Sequence, residues 1–135
     1  MTLQKIIKVG LFVFVFVGIG LLGFSRIQKI SAQSWKGIAS FYHHKFNGRK
    51  TANGEIFSNS KLTAANNFLS LGSLVKVLNV KNGKSVIVKI NDRMNASNKR
   101  LIDLSHAAAS QIGLVDQGVG EVTIELVSNS DLALK

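Results

Sequence analysis

The sequence holds only seven Asp and Glu in 135 residues, so each acid can be weighed as a candidate for proton chemistry. Glu121 and Glu125 alternate with Val122, Ile124 and Leu126, which turns both carboxylates to solvent on a strand. Asp116 lies in a glycine-flanked turn and Asp131 in the tail, and both read as structural or idle. Three acids remain. Glu55 ends a polar loop after Asn53-Gly54, Asp92 closes an apolar strand immediately before Arg93, and Asp103 sits between Leu101-Ile102 and Leu104. A carboxyl among apolar neighbours either holds a turn or helix end by hydrogen bonds, or keeps its proton through desolvation and serves as a general acid. Asp103 stands close enough to a helix beginning near Ser105 to cap it. Spacing alone does not bring Asp92 and Asp103 together, and both readings stand at this point.

Other chemistries find less support. His43 and His44 are adjacent, and neighbours on an extended chain point to opposite faces, so they do not chelate together. With no cysteine and no His-x-x-x-His spacing, no metal site and no cofactor is expected. No serine stands in a Gly-x-Ser-x-Gly elbow. Trp35, Phe41 and Tyr42 either form a platform for a sugar ring or, more commonly for such residues, divide between core and surface.

The elements that must position these acids are mostly strands. Residues 37–42, 74–80, 85–91 and 121–127 read as strands, with Val86, Val88 and Ile90 on the apolar face of the third. Asn82-Gly83 between the middle two predicts a hairpin with a type I′ turn, because both residues tolerate positive φ. One helix is expected over 106–112, with Ser105 as its N-cap and Gly113 in the left-handed position past its end. Short strands, one helix and glycine-marked turns suggest a small closed or nearly closed barrel.

An N-terminal segment precedes this domain. Lys5 and Lys8 lead into an apolar run from Val9 to Phe24, and Ile30-Ser31-Ala32 offers a cleavage site before Gln33. Arg26 and Lys29 are unusual near such a site, so an uncleaved membrane anchor is the competing reading. Either way the domain is expected outside the cytoplasm, as a periplasmic, membrane-anchored or secreted protein of the cell envelope. The net charge is +10; with Lys5, Lys8, Arg26 and Lys29 set aside, thirteen Lys and Arg face seven Asp and Glu, a net +6. Such a surface favours polyanions, and export makes the expected partner a cell-wall polymer rather than nucleic acid.

Taken together, the motifs resemble the rare lipoprotein A-like family of double-psi β-barrels. The matching stretches are Gly37-Ile-Ala-Ser-Phe-Tyr42, Gly48-Arg-Lys-Thr-Ala-Asn-Gly-Glu55, Leu62-Thr-Ala-Ala65, Leu71-Gly72, Asn82-Gly-Lys-Ser-Val86, Lys89-Ile-Asn-Asp-Arg93 and Arg100-Leu-Ile-Asp-Leu-Ser105, in the family's order. The resemblance implies a mainly β, six-stranded double-psi barrel over residues 34–128, with one or two short helices. A hydrophobic N-terminal helix would precede it within 1–33, and a loose tail would follow over 129–135. It also implies an endolytic lytic transglycosylase that cleaves the bond between N-acetylmuramic acid and N-acetylglucosamine in peptidoglycan glycan strands, without water, leaving a 1,6-anhydro end. The alternative is an expansin-like module that holds glycan without cutting it. By motif match the catalytic acids would be Asp92 and Asp103, with Glu55 in the groove, and Asn66, Tyr42, Arg93 and Thr51 would contact substrate. Asn66 stands where the family usually has His, and Met94-Asn95 where it usually has Gly-Pro. A monomer is expected, touching the membrane only through its N-terminal segment.

Overall fold

The computed structural model describes residues 33–132; residues 1–32, where the hydrophobic N-terminal helix is expected, and residues 133–135 lie outside the described residues. Six strands are present: β1 (Ser34–Phe41), β2 (Thr63–Ala65), β3 (Leu74–Asn79), β4 (Ser85–Asp92), β5 (Ile102–Leu104) and β6 (Gly120–Leu126). They close into a barrel in the order β1-β5-β2-β4-β3-β6. β1 runs parallel to β5 and β2 parallel to β4, while the other neighbours are antiparallel. This is the closed, mainly β, six-stranded barrel that the resemblance implies.

Period-two alternation builds the interior. Val75 and Val77 on β3, Val86, Val88 and Ile90 on β4, and Val122 and Ile124 on β6 all point inward and are buried. Ala39, Ala64, Ile102 and Leu104 supply the rest of the wall from β1, β2 and β5. Each large aliphatic side chain removed from water in this way contributes about 1.5–3 kcal/mol.

Two short helices follow β5. In α1 (His106–Gln111) the Ser105 hydroxyl accepts from the Ala108 N–H at 3.3 Å, the N-cap that the sequence predicts. Ile112 ends the helix and Gly113 takes φ +70°, a left-handed turn that leads into α2 (Leu114–Gln117). A last helical turn, α3 (Asn129–Leu132), occupies part of the tail.

The hairpin between β3 and β4 forms, but its turn is not the expected type I′. Only Gly83 has positive φ, at +73°, whereas type I′ needs it at two residues. The connection is longer, closed by Asn79 N–H to Lys84 O at 2.9 Å and Gly83 N–H to Asn79 O at 2.8 Å. A tertiary contact overrides the two-residue preference. The buried Asn79 and the exposed Asn82 both donate through Nδ2 to the Ile112 carbonyl, at 2.8 and 2.9 Å, and so tie the loop to the end of α1.

Candidate acid–base site

Where β2 meets β4 the register shifts: Ala64 pairs with Ile90, but Ala65 pairs with Asp92, so Asn91 is an extra residue on β4. This bulge decides where Asp92 points. Ile90 faces the core, and simple alternation would send Asp92 inward two residues later. The inserted Asn91 turns it instead to the outer face, the kind of re-aiming for which bulges recur beside functional sites.

Asp103 reaches the same face by ordinary alternation, between the fully buried Ile102 and Leu104. Ala65 pairs with Asp103 on one side and Asp92 on the other, and Ser40 pairs with Asp103 from β1. One row therefore crosses four strands, in the order Ser40, Asp103, Ala65, Asp92. The backbones of the two aspartates stand two interstrand spacings apart, roughly 9–10 Å, with a methyl side chain between them. The sequence could not bring them together; strand register does.

The two carboxyls have unlike surroundings. Asp92 accepts three hydrogen bonds: Tyr42 O–H to Oδ2 at 2.7 Å, and the Ala52 and Arg93 N–H groups to Oδ1 at 3.0 and 2.9 Å. Such converging donors suit a negative charge. Asp103 is half-buried, and burial pushes its pKa above the usual carboxylate range. The Ser40 hydroxyl, donating to Oδ1 at 2.8 Å, and the nearby Arg100 guanidinium oppose that shift, while the charge on Asp92 adds to it. Arg100 Nη1 also donates to Ser40 Oγ at 2.9 Å, so guanidinium, hydroxyl and carboxyl form a short relay. Asp103 does not cap α1; Ser105 does that.

Tyr42 is part of this machinery. Its ring stacks on Phe57 at 4.3 Å, and burial, followed by the hydrogen bond to Asp92, raises its pKa. The phenol therefore stays a donor to Asp92. Trp35 and Phe41 do not join it in a platform: Trp35 pairs with Phe68 at 5.2 Å and Phe41 packs edge-on to His106 at 5.9 Å. All three rings are half-buried, and Trp35 and Phe41 pack against the core.

The other candidate residues shape the site more than they line it. The Asn66 side chain is fully buried, accepting from the Phe68 and Leu69 N–H groups at 3.0 and 2.7 Å and donating to the Leu101 carbonyl at 2.9 Å. It presents no surface to a sugar, which corrects the expectation of a substrate contact. Arg93 sends Nη1 to the carbonyls of Asn66 and Leu69, at 2.6 and 2.7 Å, and clamps the same turn. Thr51 is buried; its hydroxyl donates to Asn53 Oδ1 at 2.6 Å and helps shape the loop that offers the Ala52 N–H to Asp92. Glu55 stands apart from the acid row, paired with Lys89 and accepting from Asn53 Nδ2 at 2.6 Å. Lys89 and then Asn53 hold its pKa below the usual range.

Sequence reasoning missed Ser40, Arg100, the Ala52 N–H and the bulge at Asn91. Ser40 lies on β1 two residues before Tyr42, which follows the strand, and Arg100 three residues before Asp103; only tertiary pairing gives those spacings meaning. Among the described residues no group of three or more His, Cys, Asp or Glu converges.

A closed barrel of this topology, with two unlike acids on one outer row, defines a double-psi β-barrel with a candidate acid–base site. The sequence profile of the family described as "Lytic transglycolase" matches residues 34–124, and the chain belongs to that family. It is 53% identical over 90 residues to the endolytic peptidoglycan transglycosylase RlpA of Haemophilus influenzae, an alignment covering 67% of this chain and 31% of that protein. To the protein of the same name from Pasteurella multocida it is 52% identical over 100 residues, 74% of this chain and 34% of the other. The chain thus spans about a third of the length of these curated relatives. Among solved structures, the Streptomyces papain inhibitor superposes with a TM-score of 0.59 at 23% identity, covering 74% of this chain and all of that one (100%). The expansin of Clavibacter michiganensis superposes with a TM-score of 0.58 at 19% identity, over 72% and 52% of the two chains. At those identities the structures speak for the fold alone.

Proposed function

We propose that the domain is an endolytic lytic transglycosylase acting on the glycan strands of peptidoglycan. The observation that carries this reading is the pair of unlike carboxyls on one row, one whose pKa burial raises and one that accepts from three converging donors. The names of relatives about half identical in sequence support the same chemistry.

In this mechanism Asp103 is the general acid. In its protonated form it gives its proton to the glycosidic oxygen as the bond from C1 of the muramyl residue breaks. The carboxylate of Asp92 stabilises the positive charge that develops on the sugar ring. Asp103, now ionised, takes the proton of the muramyl C6 hydroxyl, and that oxygen closes on C1. One bond to C1 breaks, one forms, the proton returns to Asp103, and no water is consumed. Tyr42, Ser40 and Arg100 position the two carboxyls. Glu55 shapes the neighbouring loop from outside the row.

Peptidoglycan lies outside the cytoplasm, so we place the domain there, delivered by residues 1–33 as a signal peptide or anchor and working as a monomer. The test is to incubate the full chain with purified glycan strands and identify products by mass spectrometry. Products ending in 1,6-anhydro sugars establish the reaction, and reducing ends point to a hydrolase instead. Binding without any product leaves an expansin-like holding module.

A further inference from the structure

The segment after Tyr42 is strongly basic. His43, His44, Lys45, Arg49 and Lys50 fall within eight residues, and no acid appears between Tyr42 and Glu55. The segment is ordered by its own backbone. A 3₁₀ turn at His44–Phe46 is capped by His43, Gly48 N–H reaches Phe57 O at 3.0 Å, and Phe57 N–H returns to Arg49 O at 2.7 Å. Two cations are placed against one ring: Lys45 Nζ lies 5.3 Å and Arg49 Cζ 5.2 Å from the Phe46 centroid. Two ion pairs, Lys36 with Glu121 and Lys89 with Glu55, join other cations of the described residues, and neither Lys45 nor Arg49 is paired with a carboxylate there.

This lobe adjoins the acid row. Phe46 packs edge-on to Tyr42 with centroids 5.8 Å apart, and the Tyr42 hydroxyl holds Asp92. Cations over an aromatic ring are common on surfaces and gain only about 0.5–1 kcal/mol when exposed, so the ring contacts alone do not explain the cluster. A pair of unneutralised cations, pre-set one ring away from a reaction site, matches a substrate that carries negative charge at a fixed offset from the bond being cut. A neutral polymer of amino sugars offers no such charge. Peptidoglycan does: every muramyl unit carries a lactyl group whose carboxyl is either free or joined to a peptide bearing carboxylates of its own.

We propose that Lys45 and Arg49, flanking Phe46, form a carboxylate-binding subsite that engages a muramyl unit near the one being cleaved. The inference rests on the glycan-strand reading above and assigns to this lobe the recognition of charge. It sets the register of the strand across Asp103 and Asp92, and it makes the encounter dependent on ionic strength.

The test uses the full chain and a Lys45→Gln/Arg49→Gln double variant, with its fold checked by circular dichroism. Three substrates are compared: strands freed of peptide, the same strands with lactyl carboxyls converted to neutral methylamides, and strands retaining peptides. The variant is expected to bind charged strands about tenfold more weakly, the size of effect that two exposed charge contacts support. It should bind the methylamide strands like the wild type. A loss confined to peptide-free strands assigns the lactyl carboxylate, and one confined to peptide-bearing strands assigns the peptide carboxylates. Equal binding of all three substrates by wild type and variant overturns the subsite while leaving cleavage, and the reading it rests on, intact. If the wild type neither binds nor cuts any strand, the glycan reading itself falls, and the subsite with it.

Discussion

The barrel divides into two unequal regions. Along β3, β6 and their antiparallel partners the registers run unbroken over five or six residues, and alternate side chains fill the core. β2 and β5 have three residues each, their neighbours include both parallel pairings, and the one break in register lies between β2 and β4. The long strands close the barrel; the short ones hold Asp103 and Ala65 between loops that supply the donors for Asp92. The contrast separates scaffold from chemistry. Uniform ladders give a rigid wall, and the acids sit where the ladder is short, bulged and crossed by polar groups from other segments.

Substitutions sharpen that separation, and the largest effect is expected at Asp103. Asp103→Asn should lower the rate of glycan cleavage by about 10²–10⁴, the usual worth of a positioned acid or base, measured as anhydro product per folded molecule. The same change should raise stability at neutral pH. Because burial raises the Asp103 pKa, the folded state binds that proton more tightly than the unfolded chain does. Its stabilising contribution is complete below the ordinary carboxylate range and is lost as pH rises through the raised value. Thermal unfolding at neutral pH should therefore favour the Asn variant, and the advantage should vanish in acid. A variant that is inactive but less stable at neutral pH would contradict the assignment.

The scaffold should behave in the opposite way. Ile124→Ala on β6 empties a fully buried position and should cost about 2–5 kcal/mol in denaturant unfolding. Cleavage per folded molecule should hardly change. A matching loss of specific activity would mean that the two regions are coupled.

Smaller effects probe the relay. Ser40→Ala removes the hydrogen bond that opposes the burial shift of Asp103, so the pKa should climb further and the pH–rate profile should move to higher pH. The rate at neutral pH should change by about two- to tenfold, the worth of one such hydrogen bond, and Arg100→Lys should keep part of the wild-type profile. The smallest effect is expected at Glu55→Gln, since this carboxylate is exposed and paired outside the row. Its lowered pKa ties it to Lys89 above the usual carboxylate range, and that link is lost as pH falls through the lowered value. The substitution should therefore flatten only an acid-side change in the loop, visible by NMR, with cleavage near wild type.

Long periodic segments were legible without the fold. The strands around Val75–Val77, Val86–Ile90 and Val122–Ile124 announce themselves by alternation, and the Ser105 cap and Gly113 stop bracket α1 as expected. Three-residue strands carry no period, so residue-by-residue reading finds neither β2 nor β5; the family's motifs reach them only by resemblance. The hairpin shows the limit of local preference. Asn82-Gly83 predicts the tightest turn, but two side-chain hydrogen bonds to Ile112 select a longer one.

Apolar neighbours and chain order single out Asp92 and Asp103 without reference to any partner. That they share a row, that an extra residue at Asn91 turns Asp92 outward, and that their environments differ follows from the pairing of distant strands. So does the use of Asn66 and Arg93 to hold a turn, and of Ser40 and Arg100 to hold an acid. The difference lies in the range of the interactions. Alternation and capping act over a few residues and are written in the chain's local order. Burial of a carboxyl, a register shift and a hydrogen bond across sixty positions exist only once distant strands lie side by side.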